Sequence, residues 1–449
     1  MMYDICRSTV SLSCSDSLEN WNSMILAFLS HGTATPTHLG HVLTTEPDFA
    51  IGHAARGLFS LMMGRAELVS VAQEAALVAR RLASSQTLSF REGQWIRALE
   101  LWLDGSPSGA VDAMEQILSR NPADTLSAKV SHGINFILGD HVAMRSSIER
   151  VLDAHGPDHP CGGYVLGCHA FALEETGAFE RAERTGREGL ARASNDAWGL
   201  HAVAHVYDMT ARPSLGIALI AQNSNAWEHC NNFRYHVWWH KALLHLDRGE
   251  IDVALGLYDA QIRADKTDDY RDIANATSLL TRLELEGVNV GRRWDELAHF
   301  AANRTGDGCL VFADLHYMLA LTGANRPEAR QAMADRFARD AARTGEMNAR
   351  VSDPGLAALS GLNAFAEGRY NAAFTHLSNA RPKMLTIGGS HAQRDVFDRM
   401  TIDAGLRAGR IDETQAILED RMAQRGGTED RFCATRFASI DRIRRIPAE

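Results

Sequence analysis

The sequence predicts an all-α chain built as a helical-hairpin superhelix. Three observations carry that reading. Apolar residues recur at spacings of three and four, as in "AIGHAARGLFSLMMG" and "AVDAMEQILSR". Runs of alternating Val, Ile and Thr are missing. A small residue, nearly always glycine, closes one helical segment after another at a regular interval.

Taken in order, the closing residues are Gly64, Gly105, Gly139, Gly177, Ala211, Gly249, Gly287, Gly323, Gly368 and Gly409, in steps of 34 to 45 residues. Glycine just past a helix end adopts the left-handed conformation at little cost. An alanine often follows five residues later, at Ala110, Ala182, Ala254 and Ala373, where it lets the second helix approach the first closely. Period, glycine and alanine together describe about ten helix–turn–helix units of the tetratricopeptide (TPR) kind. The sequence reads as one continuous array over residues 1–449, with an irregular N-terminal cap near 1–46 and capping repeats near 356–449. The best candidate for a break is "SDPG" at residues 352–355, inside the longest interval.

Bulk properties narrow the function. Lys and Arg total 46 against 56 Asp and Glu, a net charge of −10, which disfavours nucleic-acid and anionic-membrane binding. Seven cysteines at loose spacings, without CxxC, fit a reducing compartment better than a disulfide framework or a zinc ribbon. No apolar run is long enough to span a bilayer, and the start has no secretory pattern. The expectation is a cytoplasmic protein, with an isologous homodimer as the default assembly.

The chemistry-bearing residues are histidines. "DAWGLHAVAHVYDM" holds His201 and His205, and "YHVWWHKALLHL" holds His236 and His240. Residues four apart lie on one helix face. Both stretches run into a turn residue, Ala211 or Gly249, so both are first helices of adjacent repeats, whose histidines should share one wall of the concave groove. Asp208 is placed to orient one of them by accepting its ring N–H. Tyr207, Trp238 and Trp239 read as core or groove lining. Three readings stay open: a metal site with His201, His205, His236 and His240 as ligands, a metal-free acid–base site, and packed histidines. HExxH and Glu-x-x-His patterns are missing, so a divalent metal is compatible with the sequence and not required by it.

A third segment, "IGGSHAQRDVFDRM", places His391 and Asp395 on one face, with Ser390 as a helix cap and Gly388–Gly389 as a tight turn. The helix start beside His391 and Arg394 would suit an anion, and a salt bridge to a neighbouring repeat is the plainer account of Arg394 and Asp395. His132, His169 and His316 lie in first helices and reach toward the groove, although each alone suits packing. Glu174 and Glu175 close a helix, Asn275 offers a groove amide, and Cys230 carries no nucleophile motif.

The pieces "HAFALEETGAFERAE", "DAWGLHAVAHVYDM", "HVWWHKALLHLDRGEIDVALGLYD", "DLHYMLALTGA" and "GGSHAQRDVF", in this order, resemble the tetratricopeptide repeat protein 38 family from about Pro47 to about Gly409. The resemblance implies the same TPR-like fold and no defined reaction. One departure is visible: Ala211 stands where the family places glycine. The family's distinctive motifs coincide with the histidine helices.

The function expected on these grounds is a small-molecule hydrolase or lyase. Its groove histidines His201, His205, His236 and His240 act as general acids and bases, Asp208 orients one of them, and His391 and Asp395 approach from the C-terminal repeats. His169, Tyr207, Trp238, Trp239 and Arg394 contact the substrate. This composite site requires His391 within about 10 Å of the His205/His240 pair. The alternatives are a TPR scaffold for a peptide or protein partner, which predicts an open polar groove, and a metal-dependent hydrolase with HxxxH ligands.

Overall fold

A computed structural model of the protein describes residues 2–445. The fold is all-α and TPR-like. Helix follows helix as antiparallel hairpins, and the strands among the described residues are a two-residue pair near the start, Met2–Tyr3 with Thr9–Val10. Two compact units emerge. One comprises Met1–Val203 and Asn223–Arg234, and the other Ala204–Gln222 and Tyr235–Glu449. The 352–355 run lies inside the second unit.

In the first unit the N-terminal segment consists of the strand pair and the helices Ser15–Leu29 and Thr35–Thr45. Arg91 ties it down, reaching Asp4 at 2.9 Å and Asp124 at 2.6 Å, all three buried. Hairpins then follow in register with the glycine period: Ala50–Met62 with Ala66–Ser85, Phe90–Leu103 with Pro107–Arg120, Thr125–Leu138 with His141–Val151, and Gly162–Glu175 with Phe179–Arg192. Local capping fixes where these helices begin. Ser89 and Glu92 form a reciprocal capping box, and the Asp124 and Asp140 carboxylates accept backbone N–H bonds at two further starts.

In the second unit the hairpins Tyr270–Leu285/Arg293–Ala302, Val311–Gly323/Pro327–Ala341, Leu356–Ala366/Tyr370–Ala380 and His391–Arg407/Ile411–Gln424 repeat the pattern, and Arg431–Arg445 closes it. The C-terminal helices pack back on the earlier ones of the same unit. Arg425 reaches Asp208 at 3.2 Å, and Arg436 reaches Glu286 at 2.6 Å.

Most closing glycines take positive φ, from 61° at Gly64 to 87° at Gly105, and the four partner alanines are fully buried. Gly323 departs from the expectation. The helix runs through it, and Asn325, at φ 50°, makes the left-handed turn instead. Gly323 is required for another reason: a Cβ there would sit 2.3 Å from the Trp294 ring.

Ala211 holds the left-handed conformation without glycine's freedom, at φ 47°. An L-residue with a Cβ is strained there by about 1–2 kcal/mol. Ala211→Gly should therefore raise the urea midpoint of unfolding, by roughly 0.5–1 kcal/mol in stability after glycine's extra unfolded-state entropy is deducted. A variant no more stable than the parent would show that the turn is not strained.

Candidate functional site

The predicted residues are distributed over both units. In the first unit, His201 lies in an aromatic cluster. Its ring stacks on Phe171 at 5.4 Å between centroids and meets Trp198 at 5.1 Å and Phe233 at 5.3 Å. Trp198 donates its indole N–H to His132 Nε2 at 3.2 Å, and His31 stacks on Phe233 at 4.4 Å. Burial holds the His132 pKa well below its usual value, and the charge of Lys129 pushes the same way. Lys129 itself sits 4.6 Å above the Trp198 ring and donates to Cys168 Sγ at 3.7 Å. Asp196, at the start of this segment, is 1% exposed, and burial pushes its pKa up to about 7.

His169 stands apart from this cluster. It contacts Glu149 at 3.3 Å, in a network with Arg145 and Arg181, and burial lowers its pKa. Glu175 pairs with His141 at 2.9 Å, both buried, as a helix-closing carboxylate can. Cys230 is buried against the Ser30 carbonyl at 3.4 Å, and burial pushes its thiol up to about 12, which leaves it a poor nucleophile.

In the second unit three histidines converge. His205 meets the His240 ring at 4.4 Å between centroids, and His240 Nε2 lies 3.1 Å from His236 Nε2. His236 Nδ1 donates to Asn275 Oδ1 at 2.8 Å, which leaves its Nε2 with the lone pair. Trp239 stacks on His236 at 5.1 Å and meets His240 edge-on at 4.7 Å. All these residues are buried. Burial takes the His236 pKa down to about 3 and the His240 pKa well below the usual range, and neighbouring histidines reinforce both shifts. Both rings are neutral at pH 7, and a group with a pKa near 3 is a weak proton carrier there.

The structure brings His205, His236 and His240 together. Asp208 behaves differently from the expectation. Its carboxylate is taken by Arg425, and Asn275 supplies the orienting acceptor. A neutral amide suffices because a neutral imidazole needs only one fixed N–H. Tyr207 is fully buried, covered by Arg212 at 4.8 Å, and packs near Gly216 of the next helix. Trp238 is half-buried beneath Lys241 at 5.0 Å. Of the three aromatic residues, the histidines therefore hold Trp239. His316 donates Nδ1–H to the Phe312 carbonyl at 2.8 Å, and burial lowers its pKa to about 4.

The C-terminal segment begins as predicted: Ser390 caps its helix and forms a capping box with Gln393. Arg394 folds back and donates to the Gly389 carbonyl of the tight turn. Asp395 is a salt-bridge residue. Its carboxylate lies 2.5 Å from Arg421, 2.6 Å from Arg399 and 3.6 Å from Arg282. Burial alone would raise its pKa, but these guanidinium groups hold it well below the carboxylate range. His391 opens the same helix and is half-buried.

Arg282, which the sequence reading missed, links the segments. It is 2% exposed, lies 5.7 Å from the Trp239 ring, and donates to the Ala392 carbonyl at 2.5 Å. Burial and the neighbouring arginines lower its pKa to about 9 against the pull of Asp395 and Asp208. The signal was present: one arginine on the apolar stretch "ANATSLLTRLEL" is expensive to bury unpaired. A cavity of about 20 Å³ opens beside it, lined by Asp208, Asp247, Glu286, Asp395 and Arg399 among others, and has room for about one water. A much larger cleft, about 530 Å³ and open, lies elsewhere in the second unit among Thr305, Asp307, Arg336, Arg339, Arg343 and Asn348.

No helix among the described residues is long and apolar enough to cross a membrane. No family model matches the chain. It is similar to a solved chain from the structure of Naa15/Naa10 bound to HypK-THB, at 12% identity and a TM-score of 0.26, over 95% of this chain and 66% of that one. This chain thus spans under two thirds of the length of that relative. The expectation of a small-molecule substrate as partner is corrected here. The cavity beside Arg282, about 20 Å³, is far below the ~300 Å³ at which small-molecule sites begin.

Proposed function

We propose that this chain is a TPR-like binding protein that takes an acidic peptide or protein segment in the open cleft of residues 305–351. Membership of the tetratricopeptide repeat protein 38 family, suggested by the quoted motifs, belongs to the same proposal. The supporting observation is the cleft itself: it is open and large enough for several side chains, and its lining is polar. Arg336 is held in place by Asp314 at 2.7 Å and Asp340 at 3.0 Å. Arg339 and Arg343 are exposed, and Arg343 lies 3.7 Å from Asp340. Exposed guanidinium groups over an anchored one suit carboxylate side chains, which they bind in forked pairs.

The test is a random-peptide display against the full-length protein, followed by fluorescence anisotropy. Enriched peptides should carry Asp or Glu. The Arg339→Glu, Arg343→Glu double variant should bind them at least tenfold more weakly, with unchanged circular dichroism, because charge reversal removes both attraction and steering. Peptides without acidic residues, or binding indifferent to the double variant, would sink the reading. A second reading, metal-assisted hydrolysis at the histidines, is favoured by the convergence of His205, His236 and His240.

A further inference from the structure

The three-histidine cluster is built differently from a packed core. His205, His236 and His240 each offer a ring nitrogen, and these atoms lie within 4.8 Å of one another. A tetrahedral ion with metal–nitrogen bonds of about 2.0–2.1 Å needs ligand nitrogens about 3.3 Å apart. The His236 and His240 Nε2 atoms are already 3.1 Å apart. Without a metal these two nitrogens share a hydrogen bond, which already aims both of them at one point that an ion would occupy.

We propose that His205, His236 and His240 bind a divalent transition cation of the zinc class. The outer shell agrees with this. Metal-bound histidines usually donate the second ring N–H to a fixed acceptor, and His236 does so to Asn275. Ligation by His240 through Nε2 requires its proton on Nδ1, a tautomer shift that leaves the ring neutral. Imidazole ligands without a carboxylate select Zn, Ni, Cu or Fe over Mg or Ca. Tetrahedral coordination has four positions, and these three rings supply three of them. Arg282, 5.7 Å from the Trp239 ring, is offset by Asp395 at 3.6 Å. Trp239 walls one side and keeps the ligand rings in place. The proposal does not depend on the cleft, which shares none of these residues.

The full-length protein, stripped with a chelator and dialysed, is titrated with Co²⁺ and then with Zn²⁺. One equivalent of Co²⁺ should give the intense visible bands of a four-coordinate site, and Zn²⁺ should bleach them. His240→Ala should abolish the bands. Asn275→Leu keeps every ligand and removes the orienting acceptor, so it should weaken binding by roughly 10–100-fold. Anomalous scattering from crystals of the wild-type protein with Zn²⁺ should place the ion among the three rings. This last arm decides the matter if His240→Ala fails to fold. No binding of either ion by the wild-type protein, a full equivalent retained by a folded His240→Ala, or an ion located elsewhere would each overturn the proposal.

Discussion

Arg421→Met should lower the stability of the second unit by about 3–5 kcal/mol, the usual cost of removing one partner from a buried ion pair. Arg421 is 2% exposed and holds two carboxylates, Asp395 at 2.5 Å and Asp430 at 2.7 Å. Arg399 and Arg425 remain near Asp430, but only at 3.6 Å. The loss should appear as a fall in melting temperature of roughly 10 °C. Arg421→Lys should recover part of it, since an ammonium supplies the charge without the fork. Adding Asp395→Asn to Arg421→Met should cost little more, because the two act on one network.

The pH dependence gives a second readout of the same network. The Asp395 and Asp430 pKa values lie below the unfolded value near 3.9. Their contribution is therefore present above pH 4 and is lost as pH falls through the folded values. Arg421→Met should shrink that acid sensitivity. An Arg421→Met protein with the parent's melting temperature would refute the network as a stabilising element.

Asp196→Asn should act in the opposite direction and stabilise the first unit at pH 8, by about 2–4 kcal/mol. The folded pKa of about 7 stands above the unfolded value near 3.9. The folded state thus keeps a proton that the unfolded chain releases between pH 4 and 7. The stability linked to this proton is full below pH 4 and lost as pH rises through 7. Asparagine cannot ionise, and its Oδ1 still accepts the Trp198 N–H that Asp196 accepts at 3.2 Å. Urea unfolding at pH 4, 6 and 8 should show the variant's advantage growing with pH and vanishing at pH 4. An advantage that does not change with pH would mean that Asp196 is ionised throughout, with Lys129 as its counter-charge.

The hairpin array was legible from the sequence because its causes are local. A 3.6-residue period, a turn residue that tolerates positive φ, and a buried alanine are properties of neighbouring residues. The exception at Gly323 is instructive. Its glycine is demanded by the Trp294 ring, a packing contact that looks the same in sequence as a turn signal. The pairing of His236 with His240 was legible for the same reason, since both sit on one helix face.

The sequence alone therefore determined the fold class, the hairpin register and the helix faces that carry the histidines. Partner choice among charged groups was left to the tertiary structure. It gave Asp208 to Arg425, Asp395 to three arginines and His236 to Asn275. Apart from the i,i+4 contact of Asp395 with Arg399, these pairs join residues 26 to 217 positions apart. Spacing along a helix fixes which face a side chain occupies, but the carboxylate that meets it from another repeat is set by how the hairpins stack. A buried charge goes to whichever partner removes its desolvation cost.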